Sequence, residues 1–200
     1  TEVLRHVLEY SLLAAHRHVF GVFFWFVALS AMGLGPAGAV LYRMAEFGSR
    51  YWSYKSQVTG AATHDRLMNL SLKLFTWLDH VPSRMTAFGF AVVGNFEDAV
   101  DAWRRHAVLW VRPNEGTILS AASGALGVRL GGQAAPSADG RDVSRTLSQG
   151  DGSDVIDAEG STTGAPPEMA HLRSVVGLIW RSVVLWMLLL ALLSLANLIG

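Results

Sequence analysis

Three places in this chain put ionisable or amide side chains at one end of an apolar segment, where they could bind a charged ligand. Arg84 and the pair Asn114 and Glu115 each come shortly after a proline, and Arg129 follows a segment rich in alanine and glycine. Ionisable groups beside membrane segments are costly and often functional. Arg84, Asn114, Glu115 and Arg129 are therefore our candidate substrate-binding residues. In the simpler alternative the arginines anchor helix ends, and Asn114 and Glu115 form only a turn.

No catalytic residue can be assigned from residue spacing. The chain has no cysteine, no nucleophile–His–acid arrangement and no carboxylate pair at clear spacing. His16 and His18 would point to different faces of a helix, and no partner follows at ligand spacing, so we predict no metal site. The glycines of GALGVRLGG (residues 124–132) fit neither the P-loop nor the dinucleotide fingerprint. Close helix packing and a backbone contact to a ligand both remain open for them.

The composition indicates that a membrane protein positions these residues. The 200 residues are 51% apolar and 16% charged, whereas an average soluble domain has roughly 25% charged residues. The 16 basic and 16 acidic residues cancel, and a nucleic-acid-binding protein usually has a basic excess. We therefore expect an all-α, polytopic integral membrane protein whose partner is the lipid bilayer, with no nucleic acid bound.

The clearest membrane segment is at the C-terminal end. Residues 182–200 carry no charge, and a helix of this length rises about 28 Å, close to the roughly 30 Å hydrocarbon core. Arg173 and Arg181 precede this segment. The positive-inside rule therefore places its beginning in the cytoplasm.

A second uncharged segment covers residues 19–42, but Gly33, Gly35 and Pro36 interrupt it. Glycine loosens a helix, and proline removes one of its hydrogen bonds. The part before the interruption is too short to span a membrane by itself. The helix therefore either starts earlier, near Leu8, or kinks or re-enters the membrane at this turn.

The remaining segments predict amphipathic and packing helices and one loop. Residues 66–79 show helical spacing and end before Pro82, whereas residues 96–111 begin after a plausible N-cap, Asn95. Residues 117–128 are rich in alanine, glycine and serine, which fits a closely packed helix, a half-span or a re-entrant piece. The stretch 131–168 has no aromatic residue and is strongly acidic, which is typical of a flexible loop. We therefore divide the chain into a helical membrane region (1–132), a flexible acidic loop (133–168) and a C-terminal transmembrane helix (169–200).

Several strings resemble the CobD/CbiB family. WLDHVPSRMTAF (residues 77–88) is similar to the family's W-I-P-A-R-L-T-A segment, and GPAGAVLYRMAEF (35–47) to its G-P-x-G-A-x-x-Y-K-x-V-N segment. RPNEGTILSAASGALGVRLGG (112–132) resembles S-P-N-A-G-x-P-x-x-A-M-A-G-A-L-G-V-R-L-G-G, the most specific of these matches. The family's usual N-terminal membrane helices have no counterpart here, so we expect a fragment that lacks an N-terminal part.

The resemblance implies a multi-pass protein of the bacterial inner membrane that acts in cobalamin biosynthesis. The family's enzymes, adenosylcobinamide-phosphate synthases, attach an aminopropanol unit or its phosphate to a corrinoid carboxylate, with ATP and magnesium implied. In that chemistry the guanidinium groups of Arg84 and Arg129 would bind phosphate. Asn114 would orient an amide or carboxylate, and Glu115 would hold magnesium through oxygen.

Two departures from the family pattern point to an alternative. The acidic E-N-x-S-D-G and V-N-T-L-D-S-M segments are replaced by LAAHRHV (residues 13–19) and MAEFGSR (44–50). The related AmpE proteins, membrane proteins linked to β-lactamase induction, show similar losses, and PSRMTAFGFAVVGNFEDAVDAW (82–103) also resembles them. A non-enzymatic, AmpE-like membrane regulator is therefore the second hypothesis, and whether the chain is an enzyme stays open at this point.

Overall fold

Helices account for the regular secondary structure of the described residues. The structure, a computed structural model, describes residues 2–59, 62–131 and 162–199. Within these ranges one isolated bridge, Val128 to Ala165, accompanies the helices, which confirms the all-α prediction. The helices are α1 (Glu2–Ala15), α2 (Gly21–Ala31), α3 (Ala37–Thr59), α4 (Ala62–Leu78), α5 (His80–Val93), α6 (Phe96–His106), α7 (Pro113–Leu126) and α8 (Met169–Ile199), with a π-helical turn at His16–Phe20 and a 3-10 turn at Ala107–Leu109.

The first apolar helix starts early, as one of the two alternatives expected. α1, the π turn and α2 form a continuous helix, Glu2–Ala31, that is long and apolar enough to cross a membrane. The predicted interruption of segment 19–42 is confirmed, because the helix ends at Ala31. The chain then turns through Gly33 and Gly35 with φ angles of 80° and 57°, which favour glycine.

The last helix, α8, contains the predicted C-terminal segment. It begins at Met169, and Met169–Ala196 also has the length and apolarity of a membrane span. Among the described residues these two helices, Glu2–Ala31 and Met169–Ala196, meet that criterion.

α3 and α4 form a hairpin beside α2. A side chain on Gly38 would overlap the Trp25 carbonyl, and the Tyr42 ring occupies the space beside Gly21, so α3 runs back along α2 in close contact. The Tyr42 and Phe75 rings lie 5.6 Å apart, which places the end of α4 against the start of α3. α3 buries polar side chains and exposes apolar ones, which are Val40, Leu41, Met44, Phe47, Tyr51, Tyr54 and Val58.

Two amphipathic helices match their predicted positions with shifted ends. α4 covers the predicted helix 66–79 except for its last residue, because the helix is interrupted at Asp79. Pro82 lies in the first turn of α5, where proline is tolerated. Asn95 caps α6, because its side chain accepts a hydrogen bond from the Asp98 N–H at 3.3 Å. α6 ends at His106, short of the predicted residue 111.

α7 is the central packing helix and is buried along most of its length. Its small side chains let α6 approach so closely that a Cβ at Gly124 would overlap the Asp98 carbonyl. Gly127 ends the helix in the left-handed conformation, with a φ of 67°. Packing and capping therefore account for these two glycines, and the predicted packing role of residues 117–128 is confirmed.

A short strap, residues 162–165, covers the end of α7. The Thr162 hydroxyl accepts hydrogen bonds from the Leu130 N–H at 2.8 Å and the Ser123 hydroxyl at 2.6 Å, and the Arg129 N–H donates to the Ala165 carbonyl at 2.9 Å. Thr162 and Ala165 fall within the stretch predicted as a flexible loop, so the structure differs from the prediction at this end. The rest of the predicted loop, residues 133–161, lies outside the described residues.

Candidate functional site

A buried polar cluster lies where the first long helix makes its π turn. The His16 side chain is nearly fully buried, with 1% of the residue exposed. Its Nε2 lies 2.7 Å from Asp79 Oδ1 and its Nδ1 lies 2.8 Å from Thr86 Oγ1. Because a carboxylate only accepts, Nε2 donates to Asp79, and in the neutral ring Nδ1 then accepts from the Thr86 hydroxyl. Single π turns inside α-helices occur frequently at functional sites.

Asp79 connects three elements of the fold. It lies in the break between α4 and α5, and the Tyr42 hydroxyl of α3 donates to the same Oδ1 at 2.7 Å. Burial, with the Asp79 carboxylate beside it, raises the pKa of Tyr42 far above its ordinary value of 10.0. The phenol therefore stays protonated and serves as a hydrogen-bond donor. The cluster holds the π turn, α3 and α5 in one fixed arrangement.

Arg17, the next residue of the π turn, points to the start of α7. Its Nη2 donates to Glu115 Oε1 at 2.6 Å, and Arg112 Nη1 donates to the same oxygen at 3.2 Å. The Arg17 and Glu115 side chains are only 16% and 13% exposed, whereas Arg112 is 61% exposed. The head of α7 thus carries one carboxylate between two guanidinium groups, and Arg112 forms its solvent side.

Asn114 presents an unused hydrogen-bond acceptor next to these charges. It is 6% exposed, and its Nδ2 donates to the Thr76 carbonyl at 2.9 Å. That contact fixes the orientation of the amide, since the opposite assignment would place two oxygens together. Its Oδ1 is buried and has no hydrogen-bond partner among the described residues. A buried acceptor without a donor costs about 1–3 kcal/mol, so this atom is a candidate acceptor for a ligand N–H or O–H.

A second charged network extends from the π turn along α3. His18 is exposed, and its Nδ1 accepts from Arg43 Nη1 at 2.8 Å. Arg43 and Arg50 both contact the buried Glu46 carboxylate, at 3.1 and 3.0 Å. His16 and His18 therefore do face different surroundings, as their spacing predicts. Among the residues that the structure describes, no three His, Asp or Glu side chains lie close enough to hold a metal ion.

The four predicted site residues do not all meet. Asn114 and Glu115 lie together at the head of α7. Arg84 lies near the start of α5, one turn after His80, and its Nη1 donates to the His80 carbonyl at 2.9 Å. Arg129 follows the other end of α7, about 17 Å along the helix from Glu115. Arg129 therefore lies apart from this site, and substrate binding by the four residues stays a prediction.

Magnesium, which the resemblance assigns to Glu115, does not fit the surroundings of that residue. Among the described residues, the Glu115 carboxylate forms ion pairs with two guanidinium groups, those of Arg17 and Arg112. A hard cation prefers several oxygen ligands and is repelled by adjacent positive charges. The site as built is suited to an anionic ligand that competes with Glu115 for the arginines.

The contacts of the buried cluster could not be predicted from the sequence, because its residues lie far apart in the chain. His16 and Asp79 are separated by 63 residues, and Tyr42 and Asp79 by 37. One signal was available: a histidine next to an apolar segment is costly unless it has a partner. The sequence offered no means of identifying Asp79 as that partner.

Comparisons with known proteins agree with the resemblance. The family model described as CobD/Cbib protein matches residues 1–158. A protein of Stutzerimonas stutzeri (strain A1501) named cobalamin biosynthesis protein CobD is 30% identical over 173 residues, covering 86% of this chain and 48% of the relative. A protein of the same name from Chromobacterium violaceum is 34% identical over 137 residues, covering 66% of this chain and 39% of the relative.

The chain spans about half the length, or less, of these curated relatives. No solved structure matches it. The family model covers well over half of the chain, including the π turn, Asp79 and the head of α7. On this ground the chain belongs to the CobD/CbiB family.

Proposed function

We propose that the protein acts in cobalamin biosynthesis, as a multi-pass protein of the bacterial inner membrane that joins an aminopropanol unit, or its phosphate, to a corrinoid carboxylate. Family membership and the names of both relatives support the pathway. Two helices with the dimensions of membrane spans support the location. Because the relatives are longer, the activity is proposed for the whole protein that contains this chain.

The observation that carries the proposal is the unpartnered Oδ1 of Asn114. Amide formation joins an amine to a carboxylate whose departing oxygen must first be activated, for which the resemblance implies ATP, and corrinoids carry amide side chains. This buried acceptor, on the residue before the Glu115 carboxylate that Arg17 and Arg112 contact, can accept an N–H from the amine or from a corrinoid amide. Arg17 and Arg112 can bind the carboxylate or a phosphate in the fork geometry of guanidinium groups.

The buried cluster has a positioning role in this proposal. Arg17 follows His16 directly in the π turn, so the contacts of His16 with Asp79 and Thr86 fix where the Arg17 side chain leaves the helix. Glu115 keeps the two guanidinium groups side by side in the free protein. An incoming carboxylate or phosphate replaces Glu115 as the partner of the more exposed Arg112. At Arg17 it binds in addition to Glu115, which stays in place.

Complementation tests the function and the acceptor together. The gene containing this chain, in its full natural reading frame, is expressed in a strain that lacks the synthase and is supplied with cobyric acid. We expect rescue by the natural protein and loss of rescue by Asn114→Ala. The matched control is Asn69→Ala, an exposed asparagine on α4, which should rescue fully. Protein in the membrane fraction is quantified for each variant.

Two results would count against the proposal. Failure of the well-expressed natural protein to rescue would remove the proposed activity. Full rescue by Asn114→Ala would leave the activity but remove the acceptor from the site. The AmpE-like alternative is not carried by any contact in the structure, and both relatives bear the cobalamin name.

A further inference from the structure

The turn between α6 and α7 exposes apolar side chains that no part of the described fold covers. Val108, Leu109 and Val111 are 81%, 56% and 65% exposed. Trp110, between them, is buried and occupies the space beside Gly116, where a Cβ would overlap its ring. Trp110 therefore holds the turn in place, so the three apolar side chains are presented outward on a fixed support.

The charged residues within segment 104–112, which contains this turn, are all basic. Residues 104–112 read RRHAVLWVR, with three arginines and no acidic residue, in a chain whose net charge is zero. Arg104 is exposed and makes no ion pair with a described residue. Arg105 contacts Asp101 and Arg112 contacts Glu115, but both arginines remain largely exposed, at 71% and 61%. Basic residues around exposed apolar side chains complement an anionic lipid surface.

The position of the turn also points to the bilayer. Arg112 shares Glu115 with Arg17, and Arg17 lies just before the uncharged residues 19–42. The turn is therefore level with the middle of the first long helix, where its uncharged part, residues 19–31, begins. If these uncharged residues lie in the bilayer, the turn lies at the membrane–water boundary. Trp77, which is 74% exposed, is next to Thr76, the partner of Asn114, and tryptophan favours the same boundary.

We propose that Val108, Leu109 and Val111 insert into the headgroup region of an anionic bilayer while Arg104 and Arg105 contact lipid phosphates. This lipid-binding turn lies next to the Arg17–Glu115–Asn114 site and does not depend on the function proposed for that site. A protein partner on the same surface would need acidic side chains opposite the arginines, and the continuity with the apolar helix favours lipid.

The absence of cysteine makes a direct test possible. Single variants Val108→Cys and Val111→Cys of the full chain carry a nitroxide label in nanodiscs of phosphatidylcholine, alone or mixed with phosphatidylglycerol. Glu97→Cys, an exposed position at the other end of α6, is the control. Collision rates with oxygen and with a water-soluble nickel chelate report contact with lipid and with water. Retained helical circular dichroism shows that each variant is folded.

We expect the oxygen-to-nickel ratio at Val108 and Val111 to exceed that at Glu97 several-fold in the mixed bilayer and to be smaller in phosphatidylcholine alone. Adding Arg104→Glu should remove most of this lipid dependence, whereas Lys73→Glu, an exposed charge on α4, should not. High nickel accessibility in both bilayers would overturn the proposal. So would labels protected from both reagents, which would show a protein partner, or equal insertion in both lipids.

Discussion

Removal of the Asp79 side chain tests whether the buried cluster stabilises the fold. Asp79→Ala leaves two buried donors, the His16 Nε2–H and the Tyr42 hydroxyl, without their shared acceptor. An unsatisfied buried donor costs about 1–3 kcal/mol. We therefore expect Asp79→Ala to lower the free energy of unfolding by about 2–6 kcal/mol, a large part of the stability of a typical domain.

The pairwise contact with Tyr42 can be isolated with a double-mutant cycle. Tyr42→Phe alone removes one donor and leaves Asp79 paired with His16, so it should cost about 1–2 kcal/mol. In the Asp79→Ala background the same change removes an unpaired hydroxyl and should be neutral or stabilising. The resulting coupling energy of about 1–3 kcal/mol is the range expected for residues in direct contact.

The assay is reversible unfolding of the detergent-solubilised chain, followed by circular dichroism. Asp101→Ala is the matched control, because this carboxylate pairs with Arg105 at 2.9 Å but is 52% exposed. Exposed pairs of this kind contribute about 0–1 kcal/mol. If Asp79→Ala destabilises no more than Asp101→Ala, the reasoning about the buried cluster is refuted.

Two further predictions concern the buried Tyr42 hydroxyl and the close packing of α6 on α7. The unfolded chain ionises Tyr42 near pH 10, whereas the folded chain keeps it protonated, so above pH 10 the unfolded state binds fewer protons and stability falls as pH rises. We expect the natural chain to lose up to about 1.4 kcal/mol per pH unit more than Tyr42→Phe in alkaline unfolding measurements, and equal slopes would contradict the raised pKa. Gly124→Leu should prevent close packing of α6 on α7 and cost several-fold more stability than Gly48→Leu, an open helical position, in thermal unfolding; equal costs would show that α6 can move away.

Local features of the fold were predictable because they depend on neighbouring residues. Residue types over one or two turns predict the Asn95 cap and the turn at Gly33 and Gly35. A long uncharged run predicts the last apolar helix. The direction in which an amphipathic helix faces was not predictable in this way. Helical spacing puts Leu70 and Leu74 on one face of α4, and that spacing fits packing on the rest of the protein or on the bilayer surface equally well; both residues are about half exposed in the described fold.

In the candidate site, too, some residues could be proposed from the sequence and their distant partners could not. Asn114 and Glu115 could be proposed from sequence because a turn at the head of an apolar segment is visible in the chain. Their partners Arg17 and Thr76 lie 98 and 38 residues away, and only folding brings them together. Arg129 is close to the site residues in sequence, in a glycine-rich motif. In the fold it lies at the far end of α7, away from them.

The π turn explains how one short segment can serve both a buried cluster and an open site. In a regular α-helix, successive residues point about 100° apart, and the backbone hydrogen bonds leave no freedom to change that angle. A π turn inserts one residue and widens the helix locally, which changes the angles at which its side chains leave. His16 can thereby lie fully inside, on Asp79 and Thr86, while Arg17 reaches Glu115 and α2 continues as an apolar helix. Histidine at this point is costly without its partners, so the local geometry and the contacts of His16 depend on each other.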